Sequence, residues 1–314
     1  MVKVFIVGSE GTTGLRLKSR LVGRSDVELL EISSELRKDS SEIKRIMEKA
    51  DYAFLCLPDA AAREISELAE DLPVRILDTS TAHRTDPGWA YGFPELSKQH
   101  YADIKGAKRV AVPGCHASGF IALVYPLIKA GVLDKDCRLS CVSLTGYSGG
   151  GKKLIAEYES SGRSDTLFSP KLYSMDQNHK HLPEMTAQCS LLSEPIFMPI
   201  VDDFYAGMLV TVPLHAHQLR GQISPEELRQ IYEKHYAGRG LVRVPGDSQT
   251  ALYTNALAGR DDMEIFVGGS DGRLLVSSRF DNLGKGASGA AIECFNIMCG
   301  LPEGTGLSLS HTAV

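Results

Sequence analysis

Nowhere does the sequence stay apolar for the roughly 20 residues that a membrane-crossing helix needs. The amino terminus, MVKVFIVGSEGTTG, resembles a leader peptide only in its first seven residues, because glycine and charge then end the apolar run. The protein is therefore expected to be cytoplasmic. A strong charge of either sign is also missing. The net charge is −5 and charged residues make up 23% of the chain, close to the average for soluble proteins. Neither nucleic acid nor an anionic membrane is expected as a partner. Internal repeats and low-complexity linkers are absent. Cysteine is sparse, with seven residues at positions 56, 115, 137, 141, 189, 294 and 299. The odd count and wide spacing exclude a dense disulfide scaffold of the secreted kind. Cys137 and Cys141 lie four apart, but no second cysteine pair completes a zinc site, and no metal is expected. Apart from one, these cysteines read as small buried hydrophobes.

What is present is length and apolar content. The 314 residues, 43% of them apolar, leave room for two domains with real cores. The first third alternates. VKVFIV (2–7), VELLEI (27–32), YAFLCLP (52–58) and VRILDTS (74–80) read as strands, separated by helical stretches TGLRLKSRLVG, SEIKRIMEKA and AAAREISELAEDL. RVAVPG (109–114) is a further strand. Strands alternating with helices predict a parallel α/β sheet. The middle of the chain differs. LSCVSLTGYSG, EPIFMPIV, GMLVTVPLHA and EIFVGGSDGRLLVSSRFD are longer strands with fewer helices, which suits a mixed or antiparallel sheet in an α+β domain. A helical stretch, GASGAAIECFNIMCG, comes last, and the tail LSLSHTAV carries no usable signal.

Gly8-Ser-Glu-Gly11-Thr12-Thr13-Gly14 follows the first strand and opens the first helix. Glycine there permits a tight turn and lets the backbone approach a pyrophosphate, while the helix start supplies amide donors and Thr12 and Thr13 could add hydroxyls. The plain alternative is a tight strand-to-helix connection. At the tip of the second strand stand Ser33 and Ser34, followed by Arg37 and Lys38. Serine and bases at this position suit a 2′-phosphate and favour NADP, whereas Glu31 would favour NAD.

Pro113-Gly-Cys115-His-Ala-Ser-Gly119 ends a strand and precedes the helical stretch FIALVYPLIKAG, in which Pro126 is expected to interrupt and kink the helix. A cysteine at a helix start feels the positive end of the dipole, which favours the thiolate, and the same amides can hold an oxyanion. An inert buried cysteine is the alternative. A second cluster reads His179-Lys-His181-Leu-Pro183-Glu184-Met. Pro183 suits the first turn of a helix through MTAQCSLL, and Leu182 before it should be extended. His179 and His181 then alternate on an extended segment and share a face. A histidine paired with the cysteine would activate the thiol, and Glu184 could orient the imidazole. Two surface histidines in a loop are the alternative. His215 and His217 in VPLHAH read as strand residues.

Taken together, GSEGTTGLRL, FLCLPDAAARE, LDTSTAHRTDPGWAYGFPEL, VPGCHASGF, GYSGGGKKLI, NHKHLPEM and FDNLGKGASGAA resemble the short type of N-acetyl-γ-glutamyl-phosphate reductase. They run over nearly the whole chain. PGCHASG departs from the longer family type, which has a tyrosine-proline pair after the cysteine. The resemblance implies a semialdehyde dehydrogenase-like architecture. A Rossmann dinucleotide-binding domain (1–115 with the returning segment 285–314) would bind NADP(H). An α+β domain with a mixed sheet (116–284) would carry catalysis and dimerisation, in a homodimer or homotetramer. It implies Cys115 as nucleophile and Asn282 near the nicotinamide. Ser80 in TSTAHRT joins the cofactor set. Arg84, Ser148 and Lys152 are candidates for the phosphate or carboxylate of a small acyl phosphate substrate, where a guanidinium can bind two oxygens at once. The implied reaction starts with thiolate attack and loss of phosphate. The thioester is then reduced with hydride from NADPH, and the thiohemiacetal collapses with a proton from His181 or His179. His181, nearest Pro183 and Glu184, is the expected acid/base, with His179 contacting substrate. Aspartate-semialdehyde dehydrogenase is the rival enzyme, and a non-catalytic NADP-binding regulator the rival of another class.

Overall fold

The computed structural model describes residues 1–246, 249–270 and 272–310. The chain forms two compact units, Met1–Gly114 with Ala287–Leu307, and Cys115–Gly286 with the segment from Ser308 on.

In the first unit, β1 (Val2–Val7), β2 (Val27–Leu30), β3 (Tyr52–Leu55), β4 (Arg75–Asp78), β5 (Ala90–Tyr91) and β6 (Arg109–Ala111) form one parallel sheet. Its order is β2-β1-β3-β4-β6-β5. Helices cover both faces, so the central strands are apolar throughout rather than alternating. Successive residues of β1 serve opposite cores. Val4 and Ile6 pack with Leu17 and Leu21 of α1 (Thr12–Leu21), and with Phe295 of the C-terminal helix (Gly289–Cys299). Phe5 and Val7 pack with Ile43 and Met47 of α2 (Ser40–Met47) and with Ile65 of α3 (Asp59–Leu68). Asp39 caps α2 by accepting from the Ser41 and Glu42 amides, each at 2.9 Å. The Phe295 ring meets Tyr52 edge-on at 5.1 Å, and the Tyr52 hydroxyl donates to the Met298 carbonyl at 3.1 Å. The last helix is thus stitched into the first sheet. The strands at 27 and 52 stop short of the expected ends. The sequence reading also missed the two-residue β5 and helix α4 (Lys98–Gly106), whose one signal is the Ser97 cap.

The second unit is built on a seven-stranded mixed sheet, ordered β11-β12-β13-β10-β7-β9-β8. Its strands are β7 (Ser140–Gly146), β8 (Lys171–Leu172), β9 (Ile196–Asp202), β10 (Met208–His215), β11 (Val242–Arg243), β12 (Met263–Ser270) and β13 (Arg273–Phe280). The run EIFVGGSDGRLLVSSRFD, read as one long strand, is instead an antiparallel hairpin of β12 and β13. Gly269 and Gly272, at positive φ, flank Asp271, which lies outside the described residues. Helix α5 (Cys115–Lys129) crosses the sheet at Gly119, where a Cβ would sit 2.4 Å from Val210 Cγ2.

The expected break at Pro126 is corrected: α5 continues through it to Lys129. Proline lacks the N–H that would reach back to the Ala122 carbonyl. That buried carbonyl accepts instead from the Tyr236 hydroxyl at 2.7 Å, and Tyr232 donates to the Leu123 carbonyl at 2.7 Å. Both tyrosines lie on α8 (Pro225–Tyr236), so the packing of a second helix supplies what the first one lost.

Candidate active site

The candidate residues fall into two sets, one in each unit. In the first unit the glycine turn sits where β1 and β3 lie side by side, the point at which the strand order reverses. Ligands of open parallel sheets bind at such points. Gly8 has φ +84, and a Cβ there would lie 2.4 Å from the Cys56 carbonyl oxygen at the end of β3. At Gly14 a Cβ would lie 2.4 Å from the Gly8 oxygen. The protein's own packing therefore demands both glycines. Gly11 is different: its Cβ would meet the Gly8 oxygen at 3.5 Å, an ordinary contact. Nothing in the protein requires glycine there, but a phosphate laid across the start of α1 would. Thr12, the first residue of α1, buries its hydroxyl oxygen without a partner among the described residues. Thr13 follows on the same first turn. A bare backbone step and an orphaned hydroxyl at a helix start fit a dinucleotide pyrophosphate.

Beside this turn a cleft is lined by Ser9, Glu10, Lys18, Glu31 and Ile32. Glu31, the residue that would favour NAD, pairs with Lys18 Nζ at 3.3 Å. Ser33, Arg37 and Lys38 are exposed in the turns after β2, and neither base makes an ion pair among the described residues.

The second unit holds Cys115 as the first residue of α5. Its Cβ faces Gly286, where any Cβ would approach to 2.9 Å, so glycine is needed beside the sulfur. Next to it, His116 is buried. Its Nδ1 lies 2.7 Å from Ser143 Oγ and its Nε2 2.8 Å from the Tyr173 hydroxyl. The His116 ring also lies 5.3 Å from His179, 5.6 Å from His181 and 5.3 Å from Phe197. Burial, with His179 and Lys180 nearby, pushes the His116 pKa down to about 3. Burial and Lys180 push His179 down to about 4. Both rings are neutral near pH 7.

His179 and His181 do meet, with ring centroids 4.8 Å apart, but not by alternating on an extended segment. His181 is in a helical conformation (φ −91, ψ −9), and α7 (Leu182–Cys189) already includes Leu182, so the expectation of an extended Leu182 is corrected. A turn brings the rings together instead. The His181 amide donates to His179 Nδ1 at 3.2 Å, and the Leu182 amide to the His179 carbonyl at 3.0 Å. Because Nδ1 of His179 accepts, its neutral ring carries the proton on Nε2 and presents a donor. His181 is almost fully buried, and Glu184 is buried in the first turn of α7. His116, Ser143, Tyr173 and Phe197 were not picked out from sequence. The one local signal was the position of His116, directly after the cysteine.

The remaining candidates are bound into the framework or exposed. Ser80 donates its hydroxyl to Asp78 at 2.7 Å, and Asp78 also meets His83 Nδ1 at 2.7 Å. Arg84 is buried, donating to the Val112 carbonyl and the Thr79 carbonyl, each at 2.9 Å. It ties the end of β4 to the segment leading to Cys115. Asn282 accepts from the Gly207 amide at 2.9 Å and donates to Ser148 Oγ at 3.0 Å. Lys152 is exposed on α6 (Gly151–Glu159). Of the other cysteines, Cys141, Cys189 and Cys294 are buried, while Cys56, Cys137 and Cys299 are only partly so. His215 ends β10, but His217 lies in the 3-10 turn that follows, which corrects its reading as a strand residue.

Comparison with known proteins agrees with this division. Residues 3–104 match the semialdehyde dehydrogenase NAD binding domain, and residues 115–282 match the semialdehyde dehydrogenase dimerisation domain. An N-acetyl-gamma-glutamyl-phosphate reductase 2 of a Nostoc species is 43% identical, over 97% of this chain and 99% of its own. The N-acetyl-gamma-glutamyl-phosphate reductase of Sinorhizobium medicae is 42% identical, over 94% and 98%. Among solved structures, a probable aspartate-semialdehyde dehydrogenase from Pseudomonas aeruginosa superposes with a TM-score of 0.74 at 16% identity, covering 95% of this chain and 98% of that one. Aspartate semialdehyde dehydrogenase II from Vibrio cholerae, complexed with ASA, gives 0.72 at 14%, again over 95% and 98%. At such identities these structures show the fold alone: a Rossmann-like unit and a unit with a mixed sheet. Among the described residues no helix is long and apolar enough to cross a membrane.

Proposed function

The chain belongs to the N-acetyl-γ-glutamyl-phosphate reductase family, within the semialdehyde dehydrogenases, and on that premise we propose that it reduces N-acetyl-γ-glutamyl phosphate to N-acetylglutamate 5-semialdehyde, releasing phosphate and consuming NADPH. The observation that carries the chemistry is Cys115 at the first position of α5, directly before His116, whose side chain meets His179, His181 and Tyr173. The helix start favours the thiolate. His181 takes the thiol proton, the sulfur attacks the acyl carbon, and the carbon–oxygen bond to phosphate breaks. The proton leaves with the phosphate, and a thioester remains on Cys115. NADPH, when bound, supplies the hydride. The tetrahedral alkoxide then collapses, breaking the carbon–sulfur bond, and the freed Cys115 thiolate takes a proton from solvent. His179 offers its Nε2–H to a substrate oxygen. The glycine turn holds the pyrophosphate through Gly8, Gly11 and the first turn of α1, and Arg37 and Lys38 take the 2′-phosphate. The first unit is thus the nucleotide domain and the second the catalytic and dimerisation domain.

The protein acts as a homodimer or homotetramer in the cytoplasm. The sheet of the second unit leaves one face uncovered, where Val142, Leu144, Met198, Ile200, Leu209 and Leu275 are all partly or fully exposed. Such an apolar face suits a second copy. The test is the reaction in reverse. Purified protein with N-acetylglutamate semialdehyde, phosphate and NADP⁺ should produce NADPH absorbance. Aspartate semialdehyde in its place should not. The opposite preference would move the chain to the rival substrate.

A further inference from the structure

The hydrogen-bonded chain Ser143–His116–Tyr173 has a direction that can be read by counting protons. Ser143 is fully buried, and among the described residues its Oγ meets only His116 Nδ1. A buried hydroxyl proton with no acceptor is costly. Ser143 therefore donates to Nδ1. A neutral imidazole has one N–H, so the His116 proton must sit on Nε2, from which it donates to the Tyr173 oxygen. The Tyr173 hydroxyl proton is then not consumed by His116. In the opposite tautomer Nδ1–H would point at Ser143, the serine proton would be stranded, and Tyr173 would sink its proton into Nε2.

We propose that His116 is a positioning residue for the reduction: held as the Nε2–H tautomer by Ser143, it keeps the Tyr173 O–H free to donate to the acyl oxygen of the group carried on Cys115. The inference rests on Cys115 being the acylated nucleophile. Burial, with Cys115 nearby, pushes the Tyr173 pKa up, so the phenol keeps its proton. The groups facing His116 are Ser143, Tyr173, His179, His181 and Phe197, with Lys180 close enough to disfavour a cation. No carboxylate is among them, and His116 stays neutral. When charge develops on the acyl oxygen, a donor whose proton is already free needs no change of tautomer to meet it.

Two measurements test this. In protein labelled with ¹⁵N-histidine, His116 is assigned by comparison with His116→Gln. Its Nε2 should carry the proton and its Nδ1 should not; the reverse tautomer overturns the proposal. This spectrum needs no turnover, so it stands even if the assigned substrate is wrong, and wild-type inactivity in the reverse assay would count against the substrate alone. In a kinetic cycle, Tyr173→Phe should lower kcat by about 10²-fold, the usual scale for one lost oxyanion donor. His116→Phe should do likewise, while His116→Gln, which keeps an N–H toward Tyr173, should recover most of the rate. In the Tyr173→Phe background, His116→Phe should cost no more than about twofold further, since a residue acting only through Tyr173 has nothing left to lose. Fully additive losses would reduce His116 to packing.

Discussion

Between Val7 and Thr12 the chain makes its glycine turn from consecutive residues. The Cys115 pocket instead gathers α5, β7, the segment around Tyr173, the entry to α7, and β9. In the first region Gly8 answers to the adjoining strand and Gly14 to a neighbour six residues away, while Gly11 answers to nothing in the protein. In the second, His116 meets residues 27 and 57 positions distant. A local motif can be altered one property at a time. A pocket assembled from distant segments couples its members, and single changes there should strike hardest.

The largest effect is expected in the pocket. His181→Asn should lower kcat by about 10²–10⁴-fold, the range for a positioned acid/base, and remove one limb of the pH–rate profile. His179→Asn should chiefly raise KM for the acyl phosphate, because its Nε2–H is the proposed substrate contact and its Nδ1 is already engaged. If the two variants exchange these behaviours, the roles are reversed. In the nucleotide unit, Arg37→Ala should raise KM for NADPH and leave that for NADH nearly unchanged. The lost charged hydrogen bond is worth about 1.5–3 kcal/mol. Equal losses with both cofactors would remove Arg37 from the 2′-phosphate site.

The glycines sharpen the contrast within one turn. Gly14→Ala should lower stability by about 1–3 kcal/mol, since its Cβ would overlap the Gly8 carbonyl. Gly11→Ala should melt within about 0.5 kcal/mol of wild type, yet bind NADPH more weakly. Thermal melts with and without cofactor separate the two. A Gly11→Ala protein with normal NADPH affinity would mean that no phosphate crosses that residue.

The smallest effect is on acid stability. His116 and His179 have folded pKa values near 3 and 4, below the ordinary value of 6.5. Between those limits the unfolded chain binds protons that the folded chain refuses. Their contribution to stability is therefore complete above about pH 6.5 and falls as pH drops toward the folded values. The Tm of His179→Gln should approach that of wild type as pH is lowered from 6.5 to 4.5, above the range where carboxylates dominate. Parallel curves would show that His179 titrates normally.

The same contrast decides what the sequence could reveal. The parallel sheet followed from strands alternating with helices, and the turn followed from glycines placed between a strand and a helix. Cys115 stood out because a strand end and a helix start bracket it. His179 and His181 meet through a turn closed by the His181 amide, not through the side-chain alternation that their spacing suggests. His116, Ser143 and Tyr173 were missed because their meaning depends on contacts between elements far apart in sequence. Arg84 and Ser80 carried chemistry-bearing side chains, yet these are bonded to backbone carbonyls and to Asp78, which only the folded structure reveals. The continuity of α5 through Pro126 needed Tyr236 from another helix.

The most direct test of the whole account is to look for the acylated nucleophile. Protein mixed with N-acetyl-γ-glutamyl phosphate in the absence of NADPH, quenched in acid and analysed by peptide mass spectrometry, should carry an N-acetylglutamyl group on the peptide containing Cys115. Hydroxylamine should release it, as expected for a thioester, NADPH should discharge it, and Cys115→Ser should not form it while still binding NADPH. Turnover without an adduct on Cys115, or near-normal activity in Cys115→Ser, would contradict the account.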